Sequence, residues 1–396
     1  MTFACLLSGA AHADAVTPNC DDATMFPNPI YLTGSSAYEQ TAANMAVELA
    51  TLTGNDKVTL IYKTSTSCDG ANAIRDNVTL TGTADTFTPN ATNAKLGVIN
   101  KGACSLDHSV TKADVGVSDV WYDNCTGGGL TATMTDVKGP VQAMIFIVPH
   151  ANMTNTDLTY YEAQDIWGCG MKGMVSPFTS EVAIQQRNKD SGTQITVAKN
   201  IGVPAASFKG VMNSAGGDLV NSLNAADPNT AIGFLAADSF DSKRGQLNAL
   251  AFQGLNQTKA YYADSASGTF DKKNVRDGHY LVWGPEHFLA TIDATSKAIT
   301  NTKAANFIGW ATGTLTTAAF NYVEVDAISN IIPQCAMKVQ RDTDGGLLRP
   351  YTPATGTACG CKYESIVTKT AVPAGCTMCT SNADCGTKTC SNGFCE

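Results

Sequence analysis

Charge is what this chain has least of. Lys, Arg, Asp and Glu make up 15% of its 396 residues, well under the usual quarter of a globular chain. The formal net charge is −9, which excludes a global basic surface for nucleic acid. Histidine is rare, five in all and scattered, and each reads as structural. No Gly-x-Ser-x-Gly, no metal-spaced His/Asp cluster and no activated nucleophile is found, so hydrolase and metalloenzyme readings have no anchor. No uninterrupted apolar run approaches the roughly 18 residues of a membrane span. The N-terminus lacks a basic n-region, yet it carries a short apolar core and an Ala-x-Ala pattern at Ala11-His12-Ala13. It reads as a signal-peptide remnant over residues 1–13. Cys5 makes a poor lipobox cysteine, because Thr2 stands where a Leu is expected.

Apolar residues, by contrast, reach 43%, enough for a sizeable core and two or three domains. Thr, Asn, Ser, Ala and Gly take the place of charge, which suits an exported protein. Fourteen cysteines, eight of them from Cys335 onward, point to disulfides and an oxidising compartment. If Cys5 leaves with the signal, thirteen remain, and one is left free or intermolecular. From Cys359 the chain becomes a cysteine module, Cys359-x-Cys361 and then Cys376, Cys379, Cys385, Cys390 and Cys395. It has few apolar residues, so crosslinks must hold it. Zinc is the rival reading, but the tail has no His and no second zinc-spaced pair, which favours disulfides. Cys104 and Cys125 are positioned to bridge a hairpin, and Cys169 and Cys335 to pair with each other or with the tail.

From about Pro27 to Pro333 short β-rich runs alternate with helical runs. Strands are expected at Ile30–Leu32, Val58–Tyr62, Ala113–Val117, Met144–Val148, Val182–Ile184 and Ala231–Leu235. Helical stretches are expected over 38–52, 71–75, 158–167 and 194–199. This alternation predicts α/β architecture with largely parallel sheets. Strands repeatedly end in a small polar turn that opens a helix: Gly34-Ser35-Ser36, Ser67 to Gly70, and Ser191-Gly192-Thr193. Ligands of open α/β sheets gather outside the carboxyl ends of strands, and three helix N-termini aimed at one cleft make an anion trap.

The most informative segment is Arg187-Asn188-Lys189-Asp190-Ser191-Gly192-Thr193. It sets a guanidinium and a Ser-Gly-Thr turn at the positive end of a helix dipole. Free backbone N–H groups, two hydroxyls and a fixed cation converge there, as needed to hold a tetrahedral oxyanion. No lysine stands at a P-loop spacing, so the segment reads as anion binding rather than phosphoryl transfer.

The order of these pieces resembles the phosphate-binding protein of bacterial phosphate ABC transporters, a type II periplasmic solute-binding protein. The pieces are Leu32 to Ser36, Tyr62 through Ser67 to Gly70, Ser118-Asp119, Met144 to Pro149, Tyr161 to Gly168, Arg187 to Thr193, and Ala231 to Phe234. The resemblance implies a two-lobe α/β fold with a central anion cleft, plus a small disulfide-rich C-terminal module. Lobe I would comprise 28–143 and 280–335, lobe II 144–279, and the Cys-rich tail 336–396. Carried over residue by residue, phosphate contacts fall on Ser67, Asp119, Arg187, Ser191, Gly192 and Thr193. The first turn departs from the pattern, with Ala37 where the family usually has Thr; Ser36, or Ser35, then supplies the hydroxyl. Asp69 is an extra acid that would weaken binding if it pointed inward. Asp119 is the implied discriminator: it repels sulfate and accepts the proton that HPO4²⁻ or H2PO4⁻ still carries. No cofactor or catalytic residue is implied. The implied partners are inorganic phosphate and an ABC permease, in the periplasm or at the cell surface, with the tail as a tether. The competing expectation is an adhesive or structural protein on the same scaffold, its oxyanion site altered or lost.

Overall fold

The computed structural model describes residues 17–52, 57–89, 99–126, 130–152, 154–316 and 320–396. The signal-peptide reading of residues 1–13, with Cys5, lies outside them. Strands β1 (Pro29–Ser35) and β2 (Thr59–Ser65) run parallel, and each is followed by a helix: α1 (Glu39–Leu49) and α2 (Ser67–Arg75). Thr66 fixes the start of α2 through a capping box with Asp69, each side chain taking one backbone N–H that the helix itself leaves unpaired. Then come β3 (Thr83–Pro89), β4 (Ile99–Ser105), β5 (Val115–Ser118), α3 (Tyr122–Thr126) and the long β6 (Met134–Pro149). The second half supplies α4 (Tyr160–Cys169), β7 (Gln185–Arg187), α5 (Gly192–Ile201), β8 (Val211–Asn213), α6 (Gly216–Ala225), β9 (Gly233–Ala236), α7 (Ala237–Asp241) and β10 (Leu247–Ala249). The chain returns through β11 (Trp283–Thr291), α8 (Thr302–Thr312) and α9 (Tyr322–Ile328), and ends in a tail built on α10 (Gly360–Thr368).

Nine strands share one sheet in the order β9-β6-β11-β5-β1-β2-β3-β4, with β10 also on β6. It is a mixed sheet, and this corrects the expectation of largely parallel pairing. Only β1 pairs in parallel, with β2 and β5; β3, β4, β9, β10 and β11 all run antiparallel to their neighbours. The reason is β6. Its sixteen residues pass from one core to the other, and β11 runs back along it in antiparallel register. One core gathers Leu32, Tyr62, Val117, Phe288 and Phe307. The other, around Phe146, Trp167, Phe234 and Tyr280, takes in the second half of β6, from Val141 to Val148. The expected strand at 182–184 forms three residues later, as β7, because Ile184 only bridges Ile232 before the ladder with β8 begins.

The disulfides also differ from the suggested pairs. Cys104 joins Cys20, Cys125 joins Cys68, and Cys335 joins Cys359. The tail holds Cys361–Cys376, Cys379–Cys390 and Cys385–Cys395. Cys169 is free and exposed. Cysteine spacing carries no information about which loops the sheet brings together, hence the wrong pairs. The tail docks on the body. Tyr363 is fully buried, and the Arg276 guanidinium donates to Glu364 Oε2 (3.2 Å) and to the Gly360 carbonyl (3.3 Å). Upstream of α10, residues 341–345 form a strap. Arg341 donates to the carbonyls of Trp283 (2.9 Å) and Leu281 (3.0 Å). Asp344 Oδ2 accepts from the Trp121 N–H (3.0 Å) and from Asn124 Nδ2. Gly345, at φ +66°, lies so close to the end of α5 that a Cβ would come within 2.7 Å of the Lys199 carbonyl.

Candidate anion-binding site

Three chain segments far apart in sequence meet at one point. Ser67 is the first residue of α2, Asp119 follows β5, and Gly192 is the first residue of α5. A Cβ on Gly192 would fall 2.3 Å from Ser67 Oγ and 2.7 Å from both Cβ and Oδ2 of Asp119. Only a residue without a side chain allows this approach. The Ser67 hydroxyl accepts from the Asp119 N–H (3.2 Å), leaving its own proton free to donate. The disulfide Cys68–Cys125 ties the first turn of α2 to α3 across 57 residues, worth about 4 kcal/mol in the loop-entropy view.

Arg187 ends β7 and is 5% exposed. Its N–H donates to Gln194 Oε1 (2.8 Å) and its Nη2 to the Ser214 carbonyl (3.1 Å), while Nε is buried with no hydrogen-bond partner. An Asn188 side chain accepting from the Asp190 N–H shapes the turn, and Lys189 pairs with Asp190 outside it. Ser191 then caps α5 by backbone geometry alone, its side chain making no cap hydrogen bond. Ser191 and Thr193 are both buried.

Asp119 is buried, its Oδ1 unpartnered. Burial raises its pKa, while the Ser35 hydroxyl, the Glu286 carboxyl, the Arg187 charge and the Ser67 hydroxyl pull it down. Ser35 is therefore the first-turn serine that meets Asp119; its Oγ accepts from the Ala37 N–H (3.0 Å). Ser36 is half-buried on an adjoining polar groove with Glu39, Asp238 and Ser239. Asp69 is exposed and spent on its capping box, so it does not face the site.

Two acids escaped the sequence reading. Glu286 is fully buried on β11 with neither carboxyl oxygen partnered. Burial first, then the charge of Asp119, pushes its pKa well above the ordinary glutamate value. Asp238, at the start of α7, accepts from Gln142 Nε2 (3.1 Å), and burial lifts its carboxyl to about 8. A signal existed for both. A lone Glu inside the buried run Trp283-Gly284-Pro285-Glu286-His287-Phe288 is out of place, and Asp238 follows a strand as Asp119 does.

These acids set the pH dependence of stability. Glu286, Asp326, Asp238 and Asp344 (about 6) all have raised pKa values, with burial the first cause in each. A carboxyl raised in the folded state stabilises fully below its unfolded pKa and loses that contribution as pH rises through the folded value. Unfolding free energy in phosphate-free buffer should therefore fall between about pH 5 and pH 8, by about 1.4 kcal/mol per pH unit for each group still protonated. Urea titrations across that window check it; a flat or rising profile contradicts the burial of these acids.

The mixed sheet and the two cores linked by β6 match the periplasmic solute-binding-protein fold, with a disulfide-bonded C-terminal module added. Among solved structures, the chain is similar to a provisionally assigned phosphate ABC transporter substrate-binding protein from Clostridium perfringens, solved with bound phosphate: TM-score 0.52, 14% identity, covering 77% of this chain and 99% of the other. An ABC-type phosphate transport receptor from Vibrio cholerae aligns over 77% of this chain and 100% of its own at 15% identity, TM-score 0.49. At 14% identity the first of these likenesses speaks for the fold alone. No family model matches the chain, and no curated protein does. Among the described residues, no helix is long and apolar enough to cross a membrane.

Proposed function

We propose that the protein captures inorganic phosphate outside the cytoplasm, for uptake. The observation that carries this reading is the meeting of Gly192 with Ser67 and Asp119, under a buried Arg187 whose Nε is unpartnered. In it, Arg187 forks onto two phosphate oxygens. The α5 N-terminus offers the Gly192 N–H, and Ser191, Thr193, Ser67 and Ser35 offer hydroxyls, with Ser36 at the groove leading in. Asp119 accepts the proton that phosphate carries and sulfate lacks. Arsenate, with the same shape and protons, fits equally. The work is binding, not catalysis. The lobes, 28–143 with 280–335 and 144–279, would close by hinge motion about β6 and its return near Tyr280 and then present the anion to a membrane permease. The tail, 336–396, is the candidate tether.

Calorimetric titration of the mature protein tests the reading. Wild type should bind phosphate at micromolar or tighter Kd and give no heat with sulfate. Asp119→Asn should cut the phosphate-over-sulfate ratio by roughly 5- to 150-fold, the equivalent of a 1–3 kcal/mol unpaired group. No heat and no thermal stabilisation with either anion would sink phosphate capture and leave the adhesive scaffold as the better reading.

A further inference from the structure

We infer that Glu286 is a positioning residue for the anion site, a carboxylic acid that shares its proton with Asp119 and so frees the other Asp119 oxygen for the ligand. This rests on the phosphate reading above and deepens it.

The geometry begins with a fault in a strand. The register of β11 against β6 slips between Pro285 and His287. A bulge re-aims the side chain it carries, and Glu286 is the residue at that slip. On the far side of the slip His287 opposes Ser118, the last residue of β5, and Asp119 comes next. Glu286 thereby comes within hydrogen-bonding reach of Asp119, both carboxyls fully out of solvent.

Both oxygens of Glu286 and Oδ1 of Asp119 are buried with no hydrogen-bond donor. Two ionised carboxylates in that position would repel with nothing between them. One proton held between them removes the repulsion and satisfies two acceptors at once. The partners assign the proton to Glu286: Asp119 has the Ser35 and Ser67 hydroxyls and the Arg187 charge to favour its ionised form, whereas Glu286 is pressed upward by burial and by Asp119, Asp238 and Asp326. The two oxygens of Asp119 then divide their tasks. Oδ1 takes the Glu286 proton, and Oδ2, the oxygen beside Gly192, stays an acceptor for the hydroxyl of the bound phosphate. No bond to phosphorus forms or breaks, and the proton stays on Glu286.

The surrounding charges agree with a neutral Glu286. Asp238 on α7 and Asp326 on α9 both press its pKa upward. Tyr38, which caps α1, and Tyr62 on β2 face it too, and both phenols are raised well above their ordinary value. The cation is Arg187, whose charge acts on Asp119. On β11 itself, His287 is engaged with Asp136 at 2.7 Å. With Glu286 neutral, Arg187 and Asp119 cancel and the site meets an anion without net charge. With Glu286 ionised, a second negative charge would sit in a dry site.

The test is a pH series of phosphate titrations on wild type, Glu286→Gln and Glu286→Met. Gln keeps a neutral donor to Asp119, and Met keeps length without one. At neutral pH, Gln should bind phosphate within about threefold of wild type, and Met about tenfold or more weaker. As pH rises through the Glu286 titration, wild type should lose more affinity than Gln, because only wild type can gain the second charge. Equal affinities for Gln and Met, or superimposable pH profiles for wild type and Gln, overturn the inference while phosphate capture stands. Absence of phosphate binding by wild type at any pH overturns both. Should Gln not fold, wild type decides alone. Titrations at alkaline pH in buffers of different protonation enthalpy should show proton uptake beyond that of phosphate itself, and zero excess uptake counts against proton sharing.

Discussion

On the phosphate reading, Arg187→Ala should leave a folded protein that no longer retains phosphate at micromolar concentrations. Among the described residues, the guanidinium is the charge that acts on Asp119 beside Ser67 and Gly192, and it is held from behind by the Ser214 carbonyl, so its reach is fixed before any anion arrives. Truncating one partner of a buried charge pair costs about 2–5 kcal/mol, which is about thirtyfold to several thousandfold in Kd. Titration calorimetry reads the loss, and thermal unfolding without ligand separates it from misfolding. Arg187→Lys should recover only part of the affinity, because a single ammonium cannot fork. Unchanged binding in Arg187→Ala would remove the oxyanion site from this cleft.

Gly192→Ala should weaken phosphate binding by about tenfold to a hundredfold, matching the 1–3 kcal/mol usual for one methyl forced into a packed place. The added Cβ would meet Asp119 Cβ at 2.7 Å, and that atom belongs to a fixed strand end rather than a flexible tip. The mutation acts on approach of α5 to α2 and β5, not on the donors themselves. The clash exists without ligand as well, so unliganded stability should fall too, the overpacking cost outweighing the better helix propensity of Ala. Small-angle scattering with saturating phosphate checks the same point, since a site held apart gives a larger radius of gyration than wild type. Full wild-type affinity would mean that these segments do not close upon the ligand.

The stretch Arg187 to Thr193 was legible because its chemistry is local. A guanidinium, an Asx turn and a small-residue helix start are all written within seven residues. Ser67 and Asp119 were legible as strand-end residues. Their contact with Gly192 was not, because it depends on how β6 carries the chain across and back. The antiparallel return of β11 hid behind the same fact: Trp283 to Thr291 was not among the expected strands, and nothing local fixes its direction. Glu286 was lost there, since a bulge is a register fault and register belongs to the sheet, not the strand. The pairings of Cys20 with Cys104 and of Cys68 with Cys125 depend on the same long-range placement.

The strap formed by residues 341–345 has a consequence for rates. It is anchored at the base of β11 by Arg341, bonded to the segment after Asp119 through Asp344, and pressed against the end of α5 at Gly345. Parting α5 from Asp119 must therefore disturb this segment at its Asp344–Gly345 end. The two hydrogen bonds into Asp344 are each worth about 1.5–3 kcal/mol as bonds to a charged acceptor, so the strap stays with the Asp119 side and α5 moves against it. On the phosphate reading, the packing of α5 on Gly345 would then set how fast an anion enters and leaves, and tight packing there would suit retention of a scarce ion more than rapid sampling of an abundant one.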